Sequence, residues 1–186
     1  MKEDLCALMN AQCGCNKAAS HWGFVFKLSW KPPGYTRWWA DCELYIFLAD
    51  HFADVIVFCT TADGDGDMDR GARLGRLIAT LENAVSRAHL KMELSIIGLA
   101  GKTLVQSTYN LEGDRCCALV AYDVIAECEC WLNGHYENMT FPGAEIIFRE
   151  CIITLLSESY LDMSEDQLTV YVIDKAKKIA ESITLI

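Results

Sequence analysis

One acidic run punctuates this chain more sharply than any other segment: Asp63-Gly64-Asp65-Gly66-Asp67-Met68-Asp69. Glycine and aspartate weaken helix interiors and strands alike. A regular element therefore has to stop before the run, and a new one has to start after it. Calcium takes about six to eight oxygens, often from carboxylates at alternate positions. Asp63, Asp65 and Asp67 match the opening ligand positions of an EF-hand loop. The sixth position is Met68, where the sharp turn needs Gly, and the twelfth is Leu74, where a bidentate Glu belongs. The preceding segment also reads as a strand, where an EF-hand has a helix. Asp63, Asp65, Asp67 and Asp69 are therefore read first as a turn and charged N-cap, with Arg70, Arg73 and Arg76 nearby to neutralise them. A metal-dependent enzyme using these carboxylates is the competing reading.

The 186 residues fit a domain of ordinary size, and 52% hydrophobic content supplies a core. Three prolines and the lack of a low-complexity tract argue against long disorder. No apolar stretch approaches the roughly 18 residues of a membrane span. Met1-Lys2-Glu3-Asp4 lacks the start of a signal peptide, so a soluble cytoplasmic protein is expected, and the Asn138-Met139-Thr140 sequon carries little weight. In that compartment the ten cysteines are expected to be mostly buried thiols inside periodic segments. The net charge of −10 excludes a general nucleic-acid binder, which needs a basic face, and favours basic protein partners. An acidic phage- or plasmid-type inhibitor that mimics nucleic acid is an alternative.

Along the chain, residues 3–18 form a helix candidate weakened by Cys13-Gly14-Cys15. Trp22, Phe24, Phe26, Leu28 and Trp30 alternate as in a strand, and Lys31-Pro32-Pro33-Gly34 ends it. Residues 41–49 and 54–60 are apolar on each face and predict central strands of an antiparallel hairpin turning at Asp50-His51-Phe52-Ala53. A helix over 69–90 follows, with Leu74, Leu77, Ile78, Leu81, Val85 and Ala88 as its stripe. Gly71, Gly75 and Ala79 mark a small-residue face suited to close backbone approach, within the fold or across a dimer. Residues 92–99 and 103–110 predict a second hairpin turning at Ala100-Gly101-Lys102. The spacing over 115–132 suits a helix closed by Asn133-Gly134, with a strand over 117–126 as the alternative. Two C-terminal helices form a hairpin that packs on the domain or on a partner. One is started by Pro142; the other follows a Ser164–Gln167 capping box. The fold class is thus α+β, an antiparallel sheet in the order helix-strand-strand-strand-helix-strand-strand-helix. Domain limits are 1–134 and 135–186.

The aromatic strand Trp22–Trp30, the hairpin Glu43–Thr60, the helix 69–90 and the hairpin Lys91–Asn110 leading to a last helix carry a likeness in topology. Their order resembles type III secretion chaperones and the related bacterial YbjN-type regulators, over residues 1–132. The resemblance implies a small, acidic, dimeric, non-enzymatic protein that holds a partner segment on hydrophobic patches. The chain departs from it in its cysteine content and C-terminal hairpin, and no family site residue carries over by position.

Catalytic signals are sparse. Gly98-Leu99-Ala100-Gly101-Lys102-Thr103 imitates a P-loop, but that motif puts its first Gly at Ile96, and a strand is expected after it where a phosphate-binding helix belongs. Cys13, Cys15 and His21, or Cys116, Cys117, Cys128 and Cys130, are zinc candidates with spacings tighter than structural zinc prefers. His21, His51, His89 and His135 permit a Cys–His pair in principle, but none has a recognisable setting. Glu127 and Glu129 suit a polar helix surface. Tyr35, Trp38 and Trp39 follow the Pro-Pro-Gly turn and are the candidate partner anchors, since aromatics bury large area with few torsions. The expectation is a non-enzymatic protein-binding module without a cofactor, chaperone-like or regulatory and homodimeric.

Overall fold

A computed structural model describes residues 40–62, 72–112, 118–158 and 162–184. Its elements are all α-helices: α1 (Ala40–Asp50), α2 (Phe52–Ala62), α3 (Ala72–Glu82), α4 (Ala84–Glu112), α5 (Ala118–Tyr136), α6 (Ala144–Ser157) and α7 (Glu165–Thr184). Among the described residues there is no strand, so the α+β class and its antiparallel sheet are overturned. The segments 41–49 and 54–60 lie in α1 and α2, and 92–99 and 103–110 are consecutive parts of α4. The helix 3–18 and strand Trp22–Trp30 lie outside the described residues.

The physical reason lies in α4. At 29 residues it is about 44 Å long. It contacts α1, α3, α5, α6 and α7, while α2 leans on α1 and α3. A helix surrounded on all sides is apolar all round, and the five residues Leu94–Gly98 are buried in succession. Such a run has no polar face to reveal a helical period, so it matches a buried strand equally well. In α1 and α2 the helical period is present but overlaid. Leu44 and Leu48, then Phe52, Val55, Phe58 and Cys59, are the buried set. Tyr45, Phe47 and Ile56, partly buried beside them, blur the pattern.

The predicted turns also dissolve. At His51 the backbone N–H donates to the Phe47 carbonyl (3.0 Å), and the His51 carbonyl accepts from Val55 N–H (3.0 Å). Helical hydrogen bonding thus runs on across the expected hairpin corner. Ala100-Gly101-Lys102 sits inside α4. A Cβ on Gly98 would lie 3.5 Å from Ala49 Cβ and 3.6 Å from Ile46 Cα, so this is where helix backbones approach closely. Glu43 accepts from the Tyr109 hydroxyl, and Asp50 pairs with Lys102 at 3.2 Å. α1 therefore runs antiparallel to the second half of α4. Gly75, by contrast, faces open space, so within the described fold it makes no close backbone approach.

The helix expected over 69–90 appears as α3 and the start of α4, divided at Asn83. The Asn83 side-chain oxygen accepts from Ser86 N–H (2.8 Å), an N-cap bond, and Arg87 Nη1 donates back to the Leu81 carbonyl (2.8 Å). α5 is a helix, as its spacing predicts, but it does not close at Asn133-Gly134. It ends in a Schellman arrangement: Thr140 N–H donates to the His135 carbonyl, Met139 N–H to that of Tyr136, and Met139 has φ 52°. Glycine ordinarily takes that left-handed position. Met139 takes it here with its side chain buried in the core.

Two C-terminal helices are present, with α6 starting at Ala144 behind a Pro142-Gly143 turn and not at Pro142 itself. α6 buries Phe148, Cys151, Ile152 and Leu155, and α7 buries Leu168, Val172, Ala176 and Ala180. The capping box closes in both directions: Gln167 N–H donates to Ser164 Oγ (3.4 Å), and Ser164 N–H donates to Gln167 Oε1 (2.9 Å). Both helices pack on α4 and on each other.

Candidate functional site

α2 and α6 lie on different flanks of α4, and the space between them is an open cleft of about 480 Å³. Small residues make its floor: Ala84 and Ala88, one turn apart on α4, with Met92 beyond them. Phe52, Ala53 and Ile56 form the α2 wall; Ile147, Cys151, Ile153 and Thr154 form the α6 wall. Ile153 is 56% exposed, and with Ile146 (60%) and Leu156 (40%) it carries the apolar surface outward along α6.

Three charged residues edge this apolar space. Arg87 and Lys91 share one face of α4 at i, i+4, and Glu150 stands across on α6. Lys91 pairs with Glu150, so one cation and the carboxylate are mutually engaged. Arg87 spends one N–H on the Leu81 carbonyl, and that bond holds the guanidinium at the cleft. Cations exceed carboxylates here, the reverse of the whole chain.

A polar cluster adjoins the cleft on the α7 side. Lys175 Nζ lies 3.3 Å from His89 Nδ1 and 3.3 Å from the Tyr171 hydroxyl, and sits over the Tyr171 ring. An ammonium can only donate, so His89 Nδ1 is the acceptor and its proton resides on Nε2. Burial, helped by the Lys175 charge, pushes His89 down to about 4. Burial drives the Cys151 thiol up to about 11 against a weaker opposing pull from Lys175, and drives Cys59 up to about 12. The thiolate fraction of Cys151 at pH 7 is then on the order of 10⁻⁴, which withholds the nucleophilic form. His89, Tyr171 and Lys175 form a positioned polar cluster around one cation, and the Cys151 thiol beside it is held in its protonated form.

The anchors Tyr35, Trp38 and Trp39 and the carboxylates Asp63, Asp65, Asp67 and Asp69 lie outside the described residues, as do Cys13, Cys15, His21, Cys116 and Cys117. Cys128 is buried, Cys130 is exposed, and both are free thiols. Among the described residues no group of three or more His, Cys, Asp or Glu is arranged to hold a metal. The P-loop-like segment is helix interior, with Gly98 and Gly101 buried. No helix of the described residues is long and apolar enough to cross a membrane. Arg87, Lys91 and Glu150 belong to no motif in the sequence. Their only signal was a pair of cations at helical spacing, and the cleft exists because α2 and α6 stand apart. No protein-family profile, curated protein or solved structure matches the chain.

Proposed function

We propose that the protein is a non-enzymatic binding module that captures a segment of a partner protein, in a chaperone-like or regulatory role, as a cytoplasmic homodimer. The α2–α4–α6 cleft carries this reading: an open apolar groove with a floor of small side chains and a partly exposed isoleucine wall. Apolar grooves between helices are where amphipathic segments dock, because the groove supplies buried area and its rim supplies specificity. The protonated state of the Cys59 and Cys151 thiols fits a packing role for both. The metal-enzyme alternative rests wholly on Asp63–Asp69, outside the described residues.

Ala53 and Ile153 are both exposed on opposite walls, so changing them leaves the core untouched. Affinity purification of the full chain from its host, compared with Ala53→Trp and Ile153→Asp variants of matching circular dichroism, tests the reading. A partner held by the parent chain and lost from both variants supports it. An identical partner set in all three would remove the cleft from the function. Light scattering tests the homodimer.

A further inference from the structure

We infer that the cleft between α2 and α6 takes an amphipathic helix bearing a carboxylate beside its apolar stripe, an acidic segment despite the acidity of the chain itself. The inference rests on the binding-module reading and adds the chemistry of the occupant. Shape is the first argument. Ala84 and Ala88 recur at helical spacing on the floor, and Ala53 lies on the wall. Small side chains let helix axes approach to about 8 Å, the short end of helix packing. α2 and α6 wall the open cleft above α4, and Met92 gives the floor an adaptable, polarizable contact.

Charge is the second argument. Arg87, Lys91 and Glu150 are the charged residues among the described lining of the cleft. With Lys91 engaged by Glu150, Arg87 is the cation whose other N–H donors point the recognition toward an anion. A guanidinium holds a carboxylate through paired, charge-assisted bonds, and anchoring by the Leu81 carbonyl lowers the entropy cost of that grip. The net charge of −10 does not oppose this at contact range. Screening at physiological salt acts over about 8 Å, so the side chains at the groove outweigh the remote surplus.

The test is a phage-displayed library of helices about 16 residues long, with leucines fixed at i, i+4 and i+7 and flanking positions varied among Glu, Gln and Lys. It is panned on the full chain with counter-selection on the Ala53→Trp variant. Glu beside the stripe should outnumber Lys by about tenfold in the retained clones. Against a selected Glu peptide, Arg87→Gln should weaken binding by about tenfold. Glu150→Gln, which removes the competing carboxylate, should strengthen it several-fold. General destabilisation of the fold does not produce opposite shifts, so the pair separates recognition from damage. Equal enrichment of Glu, Gln and Lys overturns the acidic occupant and leaves the binding-module reading standing. Failure to recover any clone that discriminates parent from Ala53→Trp overturns both. A dimer in light scattering that Ala53→Trp dissociates makes a second copy of the chain the occupant, and overturns the inference as well.

Discussion

The core beneath α1, α2 and α3 and the core between α4, α6 and α7 share one long helix and are built differently around it. In the first, Leu44, Leu48, Phe52, Val55 and Phe58, from helices α1 and α2 whose other faces are also largely apolar, meet Leu77, Leu81, Leu90 and Leu94. In the second, single stripes from α6 and α7 meet Met92, Ile96 and Ala100, and local polar devices mark the ends: the Ser164–Gln167 box and the Schellman turn at Met139. The first core rests on tertiary burial, with Glu43–Tyr109 and Asp50–Lys102 tying α1 to α4 across its edge. The second is specified twice, by burial and by bonds that each segment makes with itself. α4 joins them, turning Leu90 and Leu94 to one side and Met92, Ile96 and Ala100 to the other.

The largest effect should come from emptying either core. Leu48 is fully buried in one and Phe141 nearly so in the other. Leu48→Ala should cost about 2–5 kcal/mol and Phe141→Ala about 3–5 kcal/mol. Because α4 spans both cores, each variant should expose Cys59 and Cys151 to thiol labelling at the same urea concentration. Separate midpoints would show that the cores unfold independently. Gly98 comes next. An added methyl sits at ordinary contact distance from Ala49 and Ile46, so Gly98→Ala should be neutral or stabilising by up to about 1 kcal/mol. Gly98→Leu should push α1 off α4 and cost about 1–3 kcal/mol, read by thermal melting.

At Met139 two terms oppose each other. Glycine relieves a left-handed cost of about 1–2 kcal/mol but forfeits a buried side chain worth about 2–5 kcal/mol. Met139→Gly should therefore lower stability in denaturant titration; a rise would mean that the turn outweighs the packing. Ser164→Ala removes the capping oxygen and should cost about 1 kcal/mol, with fraying confined to the first turn of α7 in hydrogen exchange. The smallest effect is pH-linked. His89 binds its proton near 4 in the fold and near 6.5 when free, so between those values the unfolded chain holds more protons. Stability should fall as pH drops from 6.5 toward 4 and stay level above 6.5. Partial exposure of the ring limits the loss to about 1 kcal/mol. His89→Gln should flatten that part of the melting curve against pH.

The contrast between the cores also explains what was legible in advance. The capping box is a statement a segment makes about itself, and it closes in the structure where the spacing put it, while the single apolar faces of α6 and α7 carry their own helical period. α1 and α2 carry β-branched and aromatic residues around buried positions at helical spacing, so alternation and helix fit the same letters. The likeness to secretion chaperones depended on reading those letters as strands. The described residues hold none of that strand order. Of the cleft, the sequence shows Ala88 on a helical stripe and the i, i+4 spacing of Arg87 and Lys91; nothing local places Glu150 and Ile153 opposite them.

By itself the sequence determined the acidic balance, the supply of core residues, and the helical character of residues 72–90 and of the stretches beyond Pro142, because period and capping are local properties. Only the tertiary structure decided that residues 84–112 form one helix instead of a hairpin. A segment enclosed by five neighbours satisfies its backbone internally and its side chains in every direction, and that enclosure is a property of the neighbours.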